Sequence, residues 1–288
     1  RPGTLWFPGL QAQGRRPQRR PGGRSGPGPR RPLPAGTRTV AHDLKSAGYT
    51  TACIGKWGLG FVGSTGDPNL MGFDLFFGYN CQRQAHTYYP VHLYHNEHRF
   101  YLGNDTIAPS TKLAQGVAIE DPLSYKDYTL TTYAPDVMFD QLLTFIGDEQ
   151  EKESPFFLYW ATPLPHNPIQ APQRWVDYYK AKFGDEAPYL GEKGYFPHQN
   201  PRAGYAAMIS YLDENVGKLV AYLKEKGLDK NTLILFSSDN GVTYSGGTDG
   251  TYFESSGVFG EAYGNRLSHI PISNTFTGVF LKLFIYFS

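Results

Sequence analysis

The stretch from residue 205 to residue 241, YAAMISYLDENVGKLVAYLKEKGLDKNTLILFSSDNG, is the part of the sequence that decides the fold. Apolar residues at positions 205, 209, 212, 216, 219 and 223 recur at helical spacing, which predicts one long helix that Gly227 ends. The continuous apolar run from Asn231 to Phe236 then predicts a strand that is buried on both faces. A helix that leads directly into a buried strand is the repeating unit of an α/β fold.

Two earlier segments repeat this unit. Thr39 can cap a short helix ahead of a strand over residues 49–54, and Pro135 begins a helix ahead of a strand over residues 156–161. The repetition predicts an α/β fold with a mostly parallel sheet and helices on both faces. The long segments between these units, 61–135 and 163–201, are predicted to carry binding residues, because loops on a rigid scaffold commonly do.

Length and composition narrow the class of protein. A chain of 288 residues suits one large domain or at most two, and its 40% hydrophobic content excludes a wholly disordered chain. The longest apolar stretch, 276–288, is about half a membrane span and contains Lys282, so we expect no membrane-spanning helix. No secretion signal is recognisable in the chain. Cys53 and Cys81 alone cannot form a disulfide framework or a cysteine-only zinc site.

The first 32 residues differ sharply from the rest of the chain. Residues 1–40 hold nine arginines and no Asp or Glu, which leaves residues 41–288 with a net charge of −8. Such an arm can bind nucleic acid, but its Arg, Pro and Gly composition lacks any apolar periodicity. We therefore interpret residues 1–32 as an aberrant low-complexity segment from a shifted reading frame or a mis-assembled end, and expect no nucleic-acid partner.

Polar side chains follow the predicted strands at the point where each strand ends. Lys56 follows the first, His166 follows the second, and Asp239 and Asn240 follow the third. Ligands bind at this edge of an open parallel sheet. Lys56 and His166 can balance charge on an anion, and the oxygens of Asp239 and Asn240 suit Ca²⁺ or Mg²⁺. From the residues alone, a plain Asp-Asn-Gly turn, a solvated surface lysine and an ordered loop histidine remain open as alternatives.

The segment GYTTACIGKWGLG at 48–60 resembles the second signature of the sulfatase family. Segments similar to that family follow in the family's order, and the resemblance covers about residues 33–265. They are Gly72-Phe73-Asp74 with Phe77-Gly78-Tyr79, then 157–168, then 205–241. Gly58 together with NCQRQAH at 80–86 is similar to bacterial arylsulfatase-like proteins that desulfate glycans.

The resemblance implies hydrolysis of a sulfate ester in an alkaline-phosphatase-like fold, with a sulfated carbohydrate or an aryl sulfate as substrate. It implies Ca²⁺ in preference to Mg²⁺, a formylglycine nucleophile, and a periplasmic or secreted location. By the same resemblance Asp239 and Asn240 are metal ligands, Lys56 neutralises the sulfate oxygens, and His166 contacts the sulfate and the leaving group. Arg83 and His86, in a segment rich in aromatic side chains and hydrogen-bond donors, are expected to bind the sugar.

The sequence also departs from the family pattern. No Cys-x-Pro-Ser-Arg motif is present, because Ser25-Gly26-Pro27 is followed by Pro29 where arginine is required. The family's first strand, with two metal-binding aspartates, has no counterpart, nor does its later sulfate-binding lysine. We therefore expect a partial catalytic domain over residues 33–265, an aberrant tail over residues 266–288, and an inactive chain.

Two other functions are compatible with these features. A related metal-dependent phosphoesterase would use a Thr or Ser nucleophile and two metal ions. A non-catalytic relative would bind glycans through the aromatic rings around Tyr88, Tyr89 and Tyr94.

Overall fold

The computed structural model describes residues 31–238 and 243–255 and the backbone of residues 281–287. The chain divides after residue 30, and everything described below belongs to the second part. The predicted aberrant segment at the N-terminus therefore lies almost entirely outside the described residues, as do Asp239 and Asn240.

The described residues form four α-helices and seven strands, joined by loops and short 3₁₀ turns. In chain order they are α1 (Val40–Ser46), β1 (Thr50–Lys56), β2 (Leu75–Tyr79), β3 (His92–His95), β4 (His98–Tyr101), α2 (Ala134–Glu151), β5 (Phe156–Ala161), α3 (Gln173–Phe183), α4 (Pro201–Glu225), β6 (Thr232–Ser238) and β7 (Leu281–Phe287). The three predicted helix–strand units are confirmed as α1–β1, α2–β5 and α4–β6. None of the helices described is long and apolar enough to cross a membrane.

The seven strands form one mixed sheet in the order β4-β3-β2-β1-β5-β7-β6. Only the two pairings of β1, with β2 on one side and with β5 on the other, are parallel, and the remaining four pairings are antiparallel. The expectation of a mostly parallel sheet is therefore wrong in this respect. The segment 61–135 contributes β2 and the β3–β4 pair to the sheet, and β7 runs antiparallel between β5 and β6.

Helices cover both faces of the sheet, as the sequence predicts. On one face Ile54, Phe77 and Leu158 pack in a large apolar cluster with residues of α2 and α4, among them Met138 and Leu219. Burial of such side chains is the main stabilising contribution, about 1.5–3 kcal/mol for each one. On the opposite face a smaller cluster joins α1 to the sheet through Ala41, Cys53, Trp57, Phe73, Phe76 and Phe157.

Strand β6 is exposed rather than buried, which contradicts the sequence prediction. The exposed fractions of Leu233, Leu235 and Phe236 are 54%, 50% and 59%. The strand lies at one end of the described sheet, where β7 is its only partner. A continuous apolar run leads to a buried strand only when other elements pack over that strand. Among the described residues, the side chains of Leu233, Leu235 and Phe236 are left exposed. Ile209, on the predicted apolar stripe of α4, is likewise 44% exposed.

His198 makes the stability of this fold dependent on pH. The His198 Nδ1 accepts a hydrogen bond from the backbone N–H of Asn200 at 3.1 Å, and burial lowers the pKa of the ring to about 4. In the unfolded chain the ring titrates near pH 6.5, so below that pH the unfolded state binds the extra proton. The contribution of His198 to the free energy of unfolding is therefore fully present above pH 6.5 and is lost as the pH falls towards 4.

We predict that lowering the pH from 7 to 5 removes about 2 kcal/mol of the free energy of unfolding through His198 alone. His198→Gln should flatten the pH dependence by that amount, because glutamine does not titrate. Urea denaturation at several pH values measures the effect. His98→Gln, at an exposed ring in β4, is the control and should leave the slope unchanged. An identical slope in wild type and His198→Gln would contradict the prediction.

Candidate active site

Lys56 and His166 meet at the carboxyl edge of the sheet. Lys56 is the last residue of β1, and the preceding Gly55 pairs with Ala161 at the end of β5. The loop after β5 carries His166, and the Lys56 ammonium is near enough to that ring to lower its pKa. The structure therefore brings together two of the residues that the sequence places at this edge.

His166 is held as a neutral ring. Burial is the main cause that lowers its pKa to about 3, and the nearby Lys56 and His86 lower it further. Its Nδ1–H donates a hydrogen bond to the carbonyl oxygen of Asn167, which raises the pKa slightly. In this tautomer Nε2 carries the lone pair and acts as an acceptor. A bound anion would favour the protonated ring, so His166 can take up a proton when substrate is present.

The loop that carries His166 is fixed by Tyr88 and Gln170. The Tyr88 hydroxyl lies 2.8 Å from the carbonyl oxygen of Pro163 and 2.7 Å from that of His166. The Tyr88 backbone N–H donates to the Gln170 side-chain oxygen at 2.7 Å, and the Tyr133 hydroxyl donates to the Gln170 carbonyl at 2.8 Å. The loop also contains two cis peptide bonds, before Pro165 and before Pro168. These contacts hold the imidazole in one place relative to the sheet.

The expectation that Tyr88 and Tyr89 offer their ring faces to a sugar is wrong. Tyr88 is fully buried and Tyr89 is 5% exposed, and both belong to the main apolar cluster. Tyr94 packs against the smaller cluster on the other face of the sheet. Adjacent tyrosines occur both at sugar-binding surfaces and in apolar cores. Only contacts with residues distant in the sequence distinguish these two cases.

His86 and Tyr195 complete an aromatic corner around His166. The His86 ring stacks on the His166 ring with centroids 5.8 Å apart. The Tyr195 ring packs edge-on against both, at 5.2 Å from His86 and 5.8 Å from His166. Sequence reasoning did not identify Tyr195, because it lies in the long loop segment 163–201 without any motif around it. Its backbone has a φ of 63°, which few residues other than glycine adopt.

Arg83 and His86 line the same cleft, of about 200 Å³, next to this corner. Arg83 is exposed and His86 is half-buried, so both are accessible from solvent. Asp105, Thr106 and Ile107 line this cleft as well. The two residues that the sequence assigns to sugar binding therefore share one cavity, and that cavity adjoins His166 through His86. Nothing in the sequence pattern indicated that residues 105–107 belong to it.

Asp239 and Asn240 lie outside the described residues, so their predicted place in the site stays a prediction. On either side of them the described chain stops at Ser238 and resumes at Thr243. Ser245 then contacts the loop after β5, where its carbonyl oxygen accepts a hydrogen bond from the Asn167 side chain at 2.8 Å.

The predicted calcium site stays a prediction. Among residues 31–238 and 243–255 no three His, Cys, Asp or Glu side chains come together as a metal-binding group. Ca²⁺ takes roughly six to eight oxygen ligands. Asp239 and Asn240 supply too few of them, so the residues assigned in this chain do not complete a calcium site.

Asn80 is a further polar residue at this edge of the sheet that sequence reasoning missed. It follows β2, its carbonyl oxygen accepts a hydrogen bond from the Gly58 N–H, and it is 2% exposed. Among residues 31–238 and 243–255, neither its side-chain oxygen nor its side-chain nitrogen finds a hydrogen-bond partner. A buried amide of this kind costs about 1–3 kcal/mol. Its position directly after an apolar strand is the signal that could have identified it.

Comparison with known proteins identifies the family of this chain. A family profile described as Sulfatase matches residues 12–259. The chain is 28% identical to an arylsulfatase of Klebsiella aerogenes, over 83% of this chain and 54% of that protein. It is 28% identical to an N-acetylgalactosamine-6-sulfatase of Rattus norvegicus, over 76% of this chain and 36% of that protein. It therefore spans about half, or less, of the length of these relatives.

A solved structure supports the fold class. Ps i-CgsB in complex with k-i-k-neocarrahexaose superposes on the chain with a TM-score of 0.55 at 19% identity, covering 90% of this chain and 49% of that one. The likeness concerns the fold and confirms the predicted class. The family match begins within residues 1–32, so the boundary drawn after residue 32 stays a prediction.

We predict that Tyr88→Phe lowers the free energy of unfolding by about 1–3 kcal/mol, because it removes the hydroxyl that lies 2.7 Å from the carbonyl oxygen of His166. Chemical denaturation measures the loss. Tyr89→Phe is the matched control, since no hydrogen bond of its hydroxyl is seen among the described residues, and it should cost less than about 0.5 kcal/mol. Equal effects of the two variants would show that the Tyr88 hydroxyl does not support the loop.

Proposed function

Because the chain belongs to the sulfatase family, we propose that it provides part of the site of an enzyme that hydrolyses sulfate esters on sulfated glycans. The single observation that carries this proposal is the corner at the carboxyl edge of the sheet. There the Lys56 ammonium acts on the His166 ring, and the His86 ring stacks against His166. One cation beside two imidazoles suits a tetrahedral anion, because each can hold a different oxygen.

The charge on sulfate explains why this corner is needed. A sulfate ester repels any nucleophile, and a positive group against its oxygens reduces that repulsion as charge develops in the transition state. We assign this role to Lys56. A leaving alkoxide needs a proton, and we assign its delivery to His166 once the bound anion has raised the pKa of that ring. Neither assignment depends on a metal ion.

The metal and the location of the protein are further parts of the proposal. We propose Asp239 and Asn240 as two ligands of a Ca²⁺ ion, in preference to Mg²⁺, because Ca²⁺ accepts many oxygen donors in a flexible arrangement. The remaining ligands and the formylglycine precursor would have to come from outside the residues assigned here. A periplasmic or secreted location follows from the same family resemblance.

The proposed substrate is a sugar that carries the sulfate, because the cleft with Arg83 and His86 directly adjoins the corner formed by Lys56, His166 and His86. A guanidinium and an imidazole donate hydrogen bonds to hydroxyl and acidic groups of a pyranose ring. The name of the rat relative, N-acetylgalactosamine-6-sulfatase, points to a substrate of the same class for that protein. An aryl sulfate would occupy only the corner formed by Lys56, His166 and His86.

We predict that the 288-residue chain does not hydrolyse a chromogenic aryl sulfate such as p-nitrophenyl sulfate. The sequence contains no Cys-x-Pro-Ser-Arg motif, so covalent catalysis has no nucleophile. Product absorbance over hours measures turnover, with a full-length arylsulfatase as the positive control. Steady turnover by the purified chain would contradict the prediction. Turnover of p-nitrophenyl phosphate instead would favour the phosphoesterase alternative.

We predict different effects of the cleft residues on two substrates once the chain is extended with the nucleophile motif and the missing metal ligands. Arg83→Ala should lower kcat/KM for a sulfated disaccharide about tenfold, roughly 1.4 kcal/mol, and leave that for an aryl sulfate within about twofold. His86→Ala should lower kcat/KM for both substrates, because His86 packs on His166. The loss should be larger for the sulfated disaccharide, because His86 also lines the cleft.

The control for both variants is Arg38→Ala, at an exposed position just before α1 that does not line the cleft, and it should change kcat/KM for neither substrate. Equal losses on both substrates with Arg83→Ala would show a general defect of the site rather than sugar recognition. Binding of the sulfated disaccharide by the extended protein without any turnover would favour the non-catalytic glycan-binding alternative.

A further inference from the structure

A second cleft adjoins the one that contains Arg83 and His86. It has a volume of about 700 Å³ and is lined by residues between 105 and 130. Asp105, Thr106 and Ile107 line both clefts, so these three residues form a common wall. The cleft with Arg83 and His86, here the near cleft, is therefore bounded by His86, which stacks on His166, and by residues 105–107. The second cleft, here the far cleft, shares residues 105–107 with it.

The two clefts differ in charge. The near cleft contains the Arg83 guanidinium and two imidazoles, and it shares Asp105 with its neighbour. The far cleft contains the carboxylates of Asp105 and Asp127 and the ammonium of Lys112, which leaves an excess of negative charge. Arg83 offsets Asp105 in the near cleft, whereas Lys112 offsets only one of the two carboxylates in the far cleft, so an anionic group is favoured in the near cleft over the far one.

The walls of the far cleft suit a sugar ring. Its apolar lining, which includes Leu113, Val117 and Leu123, can pack against the C–H faces of a pyranose, and Thr111 and Ser124 supply hydroxyl groups. Most of this lining is exposed or half-buried and therefore accessible to a ligand.

Hydrogen bonds and ring packing fix the backbone around the far cleft. The Tyr128 hydroxyl donates to the Lys112 carbonyl at 3.2 Å, and the Tyr128 ring stacks on Phe196 at 5.5 Å. The Tyr125 hydroxyl donates to the Ile119 carbonyl at 2.9 Å. A cleft whose shape is set in advance loses little entropy when a ligand binds.

We propose that the far cleft binds an unsulfated sugar unit linked to the sulfated unit in the near cleft. This inference rests on the proposed function and narrows it, because it makes the substrate an oligosaccharide or polysaccharide rather than a single sulfated sugar. Asp127 is the residue that disfavours a second sulfate, and residues 105–107 separate the two units.

The test measures binding by the 288-residue chain, with three galactose-based probes: a 6-sulfated monosaccharide, a trisaccharide sulfated only on its terminal ring, and the same trisaccharide sulfated on every ring. Saturation-transfer NMR identifies the rings that contact the protein, and titration gives each Kd. We expect the singly sulfated trisaccharide to bind at least tenfold more tightly than the other two, with saturation on its unsulfated rings.

Two variants locate the effect. Ala114→Trp places a large ring in the far cleft at an exposed position, so it should abolish saturation of the unsulfated rings and leave the Kd of the monosaccharide unchanged. Asp127→Asn should reduce the preference for the singly sulfated trisaccharide at least threefold. Asp213→Asn, an exposed carboxylate on α4, is its matched control and should have no effect.

Three results would overturn the inference while leaving the proposed function intact: equal Kd values for the monosaccharide and the singly sulfated trisaccharide, equal Kd values for the two trisaccharides, or unchanged saturation in Ala114→Trp. Failure of all three sulfated probes to bind would overturn the proposed sugar recognition as well.

Discussion

The close approach of three strands at their carboxyl ends is the constraint on which the rest of the site depends. Gly55 has a φ of +127°, and a Cβ there would lie 2.0 Å from the carbonyl oxygen of Ala161 on β5. Gly78 has a φ of +152°, and its Cβ would lie 1.9 Å from the carbonyl oxygen of Gly55. Any side chain at either position would push β1 away from its neighbours. Because Lys56 follows Gly55, the distance from the ammonium to the His166 loop is set by this contact.

Much of the helical framework was predictable from the sequence, because periodicity reports local structure. The stripe of α4 and the apolar run of β5 each identify their element from neighbouring residues alone. The β3–β4 pair was not predictable in the same way, since both strands are short and rich in histidine and tyrosine. The exposure of β6 was also beyond the sequence, because burial depends on which distant segments cover a strand.

The same distinction between local pattern and long-range contact applies to the residues of the candidate site. Lys56 and His166 were predictable because each follows a parallel strand, and such strands end at one edge of a sheet. Tyr195 and the wall at residues 105–107 were not, because they reach the site through long loops whose course is determined by contacts far along the chain. Tyr88 shows the opposite error, since a tyrosine predicted to touch a ligand instead supports the loop that carries His166.

The exposed outer strand has a consequence for the handling of the protein in solution. In the described part of the sheet β6 has a hydrogen-bonding partner on one side only, and its seven residues, TLILFSS, include no charged residue and no proline. Such a strand offers free backbone groups and apolar side chains to another strand of the same kind. Within the part of the chain that the structure describes, β6 is therefore the edge at which a strand of a second molecule can extend the sheet, and a segment that covers this edge would prevent such pairing.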